Sequence, residues 1–147
     1  METSPAGYEL QPQGPTPTDY VRVRQEAGLT PRSLEQAQQA LPGSWAACRV
    51  VAEADGATVG MGRLIGDGGW YFHVVDMAVL PAHQRLGIGD WVLTWLLDQI
   101  RERAPQDAFV SLLADPPGRR LYARHGFTED RSLSIGMAMW LGADAGE

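Results

Sequence analysis

A chain of 147 residues, 44% hydrophobic and 20% charged, has the size and composition of one ordinary soluble globular domain with a single continuous core. Its formal net charge of −6, with no basic run longer than Arg119-Arg120, excludes the basic face that phosphate-backbone contacts need, so nucleic acid is not an expected partner. No apolar segment approaches membrane-spanning length, and the lone Cys48, inside an apolar run, excludes an internal disulfide or a multi-cysteine zinc site and reads as core filler.

Residues 1–18 hold Pro5, Pro12, Pro15 and Pro17 among polar side chains, a composition expected to stay a flexible tail. They lack a basic stretch followed by an apolar run, so no secretory signal is expected and a cytoplasmic protein follows. From Asp19, a natural N-cap, the pattern predicts a short helix over 20–27 stopped by Gly28, and a second over 33–41 opened by Thr30-Pro31 and ended by Pro42-Gly43. Strands are expected over 45–53 and 57–65, joined by a hairpin turn at 54–56. Gly60 and Gly62 in the second of these are poor strand formers and predict a bulge or a close backbone approach.

After a turn at 66–69, residues 70–80 read as a third strand, apolar on both faces in its inner part and therefore interior to the sheet. Leu93, Leu96, Leu97 and Ile100 then recur at helical spacing over 91–103. A strand over 108–114 follows, parallel to the third because a helix crosses between them. Asp115-Pro116-Pro117 caps another crossover helix ended by Gly126, and two last strands are expected at 127–129 and 134–140. The domain is thus expected over 19–141, with a C-terminal tail at 142–147. The fold class is α/β, a mixed sheet with helices on both faces.

Gly87 and Gly89 sit where the third strand turns into the long helix. There the backbone can approach a ligand, and the unpaired N–H groups of the first helical turn favour an anion. A Walker-type loop would need Lys-Ser/Thr after its last glycine, and a dinucleotide fingerprint would need a third glycine and a later acid; neither is present.

The strand before this loop and the run Gln84-Arg85-Leu86-Gly87-Ile88-Gly89 resemble the main signature of the GCN5-related N-acetyltransferases (GNAT), [Gln/Arg]-x-x-Gly-x-[Gly/Ala] after an apolar strand. Leu121-Tyr122-Ala123-Arg124-His125-Gly126-Phe127 is similar to the family's second signature, and the likeness covers about residues 19–141. It implies the GNAT acyl-CoA N-acyltransferase fold and transfer of an acetyl group from acetyl-CoA to an amine. It implies further that Met77, Ala78 and Val79 offer main-chain groups to pantetheine and that residues 84–89 hold the pyrophosphate, with Arg85 adding charge. Asp115 stands where relatives often carry a pantetheine-binding asparagine, and Asp90 in the helix's first turn is expected to point away from phosphate.

Tyr122 matches the family's usual general acid, able to protonate the leaving thiolate. His73, six residues before Val79, lies where relatives often place the base that deprotonates an ammonium of pKa about 10.4. Asp76, among Val75, Met77 and Ala78, is expected either to bind a substrate ammonium or to anchor a loop. His83 and His125 read as exposed, and Trp45, Trp70, Tyr71 and Trp140 as core or pocket aromatics. The expected partner is a small-molecule amine acceptor, with no metal, no membrane and a homodimer compatible with the reading. A non-catalytic acyl-CoA-binding module and a peptide-directed acetyltransferase share the same motifs.

Overall fold

The computed structural model describes residues 4–129 and 134–142; most of the expected tail at 142–147 lies outside them. Five strands form one sheet in the order β1-β2-β3-β4-β5, where β1 is Tyr8–Gln11, β2 Ala46–Ala52, β3 Thr58–Gly66, β4 Tyr71–Val79 and β5 Phe109–Leu112. The first four are antiparallel and β5 runs parallel to β4, as the crossover helix requires. Helices α1 (Pro17–Glu26) and α2 (Leu34–Ala40) precede β2, α3 (Ile88–Arg103) joins β4 to β5, and α4 (Arg119–Arg124) follows β5.

The expected flexible tail over 1–18 is corrected by β1. Its residues Tyr8 to Gln11 pair with Ala52 to Arg49, and the hydroxyl of Tyr8 meets Nδ1 of His83 at 2.7 Å. Prolines flank the strand without interrupting it, so composition averaged over the segment hid four residues able to pair. Helix α1 begins earlier than expected because Thr16 caps it, accepting from the Asp19 amide at 3.2 Å, with Pro17 at its first position. In α2, Ser33 and Gln36 form a reciprocal capping box.

Two apolar layers hold the sheet. On one face Ile88, Val92, Leu93, Leu96, Leu97 and Ile100 of α3 are buried against Cys48, Val50, Leu64, Phe72 and Val74. Gly60 and Gly62 let the helix come this close: a Cβ at Gly60 would meet Ile88 Cγ2 at 2.9 Å, and one at Gly62 would meet Val92 Cγ1 at 2.7 Å. On the other face Tyr20, Val23 and Ala37 pack on Met61 and Ala78. Trp45 is a core aromatic, its ring 4.7 Å from that of Phe72.

Neither of the two last strands appears among the described residues. Residues 127–129 and 135–140 join no ladder among the described residues, and Ile135, Met137, Met139 and Trp140 are largely exposed. No helix among the described residues is long and apolar enough to cross a membrane.

Candidate active site

The site begins where β4 and β5 part. Their parallel ladder runs from Tyr71↔Phe109 to Val74↔Leu112 and stops, while β4 continues to Val79. Past Val74 the edge of β4 that faced β5 is therefore open among the described residues. The Leu80 amide donates to Val59 of β3 at 2.8 Å, and backbone polar groups alternate in direction along a strand. Met77 and Val79 consequently present their main chain to the open edge, whereas Ala78 faces Met61 across the β3 ladder. The expectation of a main-chain contact through Ala78 is corrected on that ground. The Val79 carbonyl already accepts from Gln84 Nε2 at 2.9 Å, a bond that folds the loop back onto the strand.

That loop contains a 3-10 turn at Pro81–His83, then Arg85 at φ 64° and Gly87 at φ 90°, the N-cap of α3. Left-handed conformation suits glycine and is costly for arginine. No side chain caps α3, so the N–H groups of Ile88, Gly89 and Asp90 are left to a ligand or water. In front of Gly87 the space is open, a Cβ there reaching only Pro5 Cγ at 4.0 Å. Asp90 does turn away: Arg124 Nη2 donates to it at 2.9 Å and its Oδ1 lies 2.9 Å from His125 Nε2. Burial raises its carboxyl, but the bonds to His125 and Arg124 outweigh that and hold it below the ordinary range. These contacts tie the start of α3 to the end of α4, and they correct the reading of His125 as exposed, since its side chain is 13% accessible.

Asp76 occupies a bulge in β4. Between the pairs Met61↔Ala78 and Arg63↔Val75 the longer strand carries an extra residue, and Asp76 takes φ 59°. Its carboxylate accepts from Tyr20 Oη at 2.9 Å, from Arg24 Nη1 and from Arg63 Nε. With both oxygens engaged and the side chain 7% exposed, no face remains for an ammonium. Of the two expected roles, substrate binding is corrected and anchoring is what the geometry supports. Arg24 is buried too and donates twice to the Thr30 carbonyl, so the carboxylate pins the bulge to α1 and to the α1–α2 connection. Tyr20, Arg24 and Arg63 were not expected at the site from the sequence. Tyr20 and Arg24 stand one helical turn apart, and Arg63 is a charge within an otherwise buried strand, the two signals that could have found them.

Beside this cluster a cavity of about 570 Å³ is lined by Tyr20, Arg32, Glu35, Gln36, Gln39, Ala40 and Arg63. Neither His73 nor Tyr122 lines it. His73 sits opposite Ile65 on β3 and Ser111 on β5, two positions along the same face from Arg63. Its Nδ1 lies 2.8 Å from Ser111 Oγ, which in turn is 3.4 Å from the Phe72 carbonyl. When the serine hydroxyl donates to that carbonyl, Nδ1 donates to Ser111 and Nε2 is the acceptor; when it donates to Nδ1, the proton sits on Nε2. Burial pushes the imidazole below its ordinary pKa.

Tyr122, on α4, stacks edge-on to Phe127 with ring centroids 6.2 Å apart, and Gly118 abuts its ring. Burial and then the charge of Asp115 push its phenol upward, so it stays protonated across the physiological range. Asp115 occupies the N-cap position of a 3-10 turn at Pro116–Gly118 without capping it through its side chain, which corrects its expected capping role. Among the described residues no group of three or more His, Cys, Asp or Glu could hold a metal ion.

A mixed sheet opens beside an uncapped glycine-led helix, and residues 46–129 match the model of the acetyltransferase (GNAT) domain, which makes this an acyltransferase-type domain. The chain belongs to that family. A protein of unknown function from meticillin-resistant Staphylococcus aureus is 32% identical, with a TM-score of 0.84 over 91% of this chain and 99% of its own. A GNAT family acetyltransferase from Streptococcus pneumoniae, 24% identical, shares the fold with a TM-score of 0.72 over 93% and 99% of the two chains. An uncharacterized N-acetyltransferase from Porphyra purpurea is 29% identical over 112 residues, 75% of this chain, which spans 63% of that relative's length.

Proposed function

We propose that the chain is an acetyl-CoA-dependent N-acetyltransferase acting on a primary amine of a small molecule, by direct attack in a ternary complex in the cytoplasm. The observation that carries this reading is the open edge of β4 past Val74, ending at a helix that no side chain caps. Such an edge offers the pantetheine amides the partners a neighbouring strand would use, through Met77 and Val79. The N–H groups around Gly87 and Gly89, with Arg85, suit a diphosphate. Bound there, the coenzyme supplies the acetyl group as a thioester.

The chain's own residues then manage two protons. An alkyl ammonium with a pKa of about 10.4 must be deprotonated before it attacks. His73 Nε2, directly or through water, is the acceptor, since burial keeps the ring neutral and Ser111 holds the other nitrogen. Tyr122 Oη is the donor to the leaving sulfur, kept protonated by burial and by Asp115. A main-chain N–H near Val79 stabilises the charge that develops on the carbonyl oxygen. The cavity against α2, with arginine, glutamate and glutamine side chains, suits a polar acceptor.

Thiol release from acetyl-CoA across a panel of small amines and amine-terminated peptides tests the reading. Cys48 adds no background, because it is fully buried and its thiol is pushed up to about 12. Turnover with a small amine is expected. A thermal shift with acetyl-CoA and no thiol release with any acceptor would instead favour a binding module, and turnover with peptides alone a peptide-directed enzyme.

A further inference from the structure

Two nearly buried arginines share one carboxylate where α1 meets the sheet. Arg24 and Arg63 both donate to Asp76, and their side chains are 10% and 13% exposed. One positive charge is left over there, in a chain whose formal net charge is −6. An uncompensated charge held out of water is costly, so an anion that reaches it is bound strongly. Arg24 has no donor to spare, because its Nε and Nη2 already donate to the Thr30 carbonyl. Arg63 does. Its Nε faces Asp76 and its Nη1 makes one long bond of 3.4 Å to Ser44 Oγ, while its Nη2 has no partner among the described residues.

Arg63 lines the cavity of about 570 Å³, which lies within the roughly 300–1,000 Å³ of small-molecule pockets. Arg32 lines the same cavity. Its guanidinium lies 4.8 Å from the Trp140 ring centroid and donates to the Pro31 carbonyl, without an ion pair among the described residues. With Arg24 behind Arg63, three guanidinium groups stand against the carboxylates of Asp76 and Glu35. A bare alkyl ammonium enters against that excess of positive charge. A molecule that carries its own anion does not.

The excess also lies at a useful distance from the proton acceptor. Arg63 faces Val75 across the β3 ladder and His73 faces Ile65, so Arg63 and His73 are diagonal neighbours on one face of the sheet, about 7–8 Å apart. We propose that the acceptor is a free amino acid, its carboxylate held by Arg63 and Arg32 and its amine presented to His73. A carboxylate matches the planar fork of a guanidinium, which favours it over other anions. The inference rests on the acetyl-transfer reading and names the acceptor class of that site.

Thiol release from acetyl-CoA, measured with a set of L-amino acids, with the amine that each gives on decarboxylation and with phosphoethanolamine, tests it. For the best amino acid, kcat/KM should exceed that of its decarboxylated partner about tenfold or more, the worth of a charge-assisted hydrogen bond. In Arg63→Gln and in Arg32→Gln that ratio should fall toward one. A general loss of folded enzyme lowers both rates alike and leaves the ratio unmoved. Arg32→Gln keeps the test decisive if Arg63→Gln does not fold, because Arg32 takes no part in the Asp76 cluster. Decarboxylated amines used as well as amino acids, a preference that survives both substitutions, or phosphoethanolamine turning over faster than every amino acid would each overturn the proposal while leaving acetyl transfer intact. Calorimetry with coenzyme A present separates the opposite case: N-acetyl amino acids binding more tightly than N-acetyl amines, with no turnover of any acceptor, would uphold the carboxylate site and refute acetyl transfer. Neither turnover nor such binding would overturn both.

Discussion

Replacing Asp76 separates an anchoring role from a substrate-binding one. Asp76→Asn keeps the shape of the side chain and tolerates φ 59°, while removing the charge that two guanidinium groups share. The Arg24 and Arg63 side chains are 10% and 13% exposed, so the change leaves two nearly buried cations facing a neutral amide. Breaking a buried pair by removing one partner costs about 3–5 kcal/mol. The low end applies here, because Arg24 keeps the Thr30 carbonyl and Arg63 borders an open cavity. A loss of about 3 kcal/mol is expected for Asp76→Asn. Asp76→Ala should lose roughly 1–2 kcal/mol more, since alanine is strained in the left-handed region. Urea unfolding followed by tryptophan fluorescence measures both, Trp45 being packed on Phe72 in the core. Losses under about 1 kcal/mol for both variants, together with a raised KM for the amine, would refute the anchoring argument and restore Asp76 as a substrate ligand.

Tyr122→Phe should lower kcat by about 10²–10⁴, the usual worth of a positioned acid, while the thermal shift with acetyl-CoA is retained; an unchanged kcat removes Tyr122 from the reaction. The rate should fall as pH drops through the His73 pKa, which burial holds below its ordinary value, and no loss from Tyr122 should appear until above pH 10. The sign follows from the roles: the base must be neutral and the acid protonated. In His73→Gln that low-pH limb should vanish together with most of the rate, and a limb that persists assigns the titration to another group. Gly62→Ala places a Cβ 2.7 Å from Val92 Cγ1 and 2.8 Å from Met77 Sδ, so denaturant unfolding should show a loss of about 1–3 kcal/mol. Wild-type stability would show that α3 can move off the sheet more easily than its packing suggests.

What the sequence made legible was whatever is decided within a few residues. The apolar repeat of α3, the glycines that admit it to β3 and the strand-to-helix turn at Gly87 all appear where their local patterns put them. The bulge at Asp76 was not legible. Its extra residue shows only against the register of β3, and its partners Tyr20, Arg24 and Arg63 lie 56, 52 and 13 positions away. A lone carboxylate in an apolar strand announces a buried charge, but identifying its counter-ion requires the fold.

Strand pairing was the other failure, and it failed in opposite directions at the two ends. Residues 8–11 have weak strand chemistry and sit among prolines, yet β2 offers them a ladder from Arg49 to Ala52 and they take it. Residues 135–140 alternate as a strand should and join no ladder among the described residues. A strand's stability comes from cross-strand pairs and from the face it covers, not from its own propensity. Alternation in a sequence therefore specifies a surface that seeks an edge, and leaves open whose edge it is.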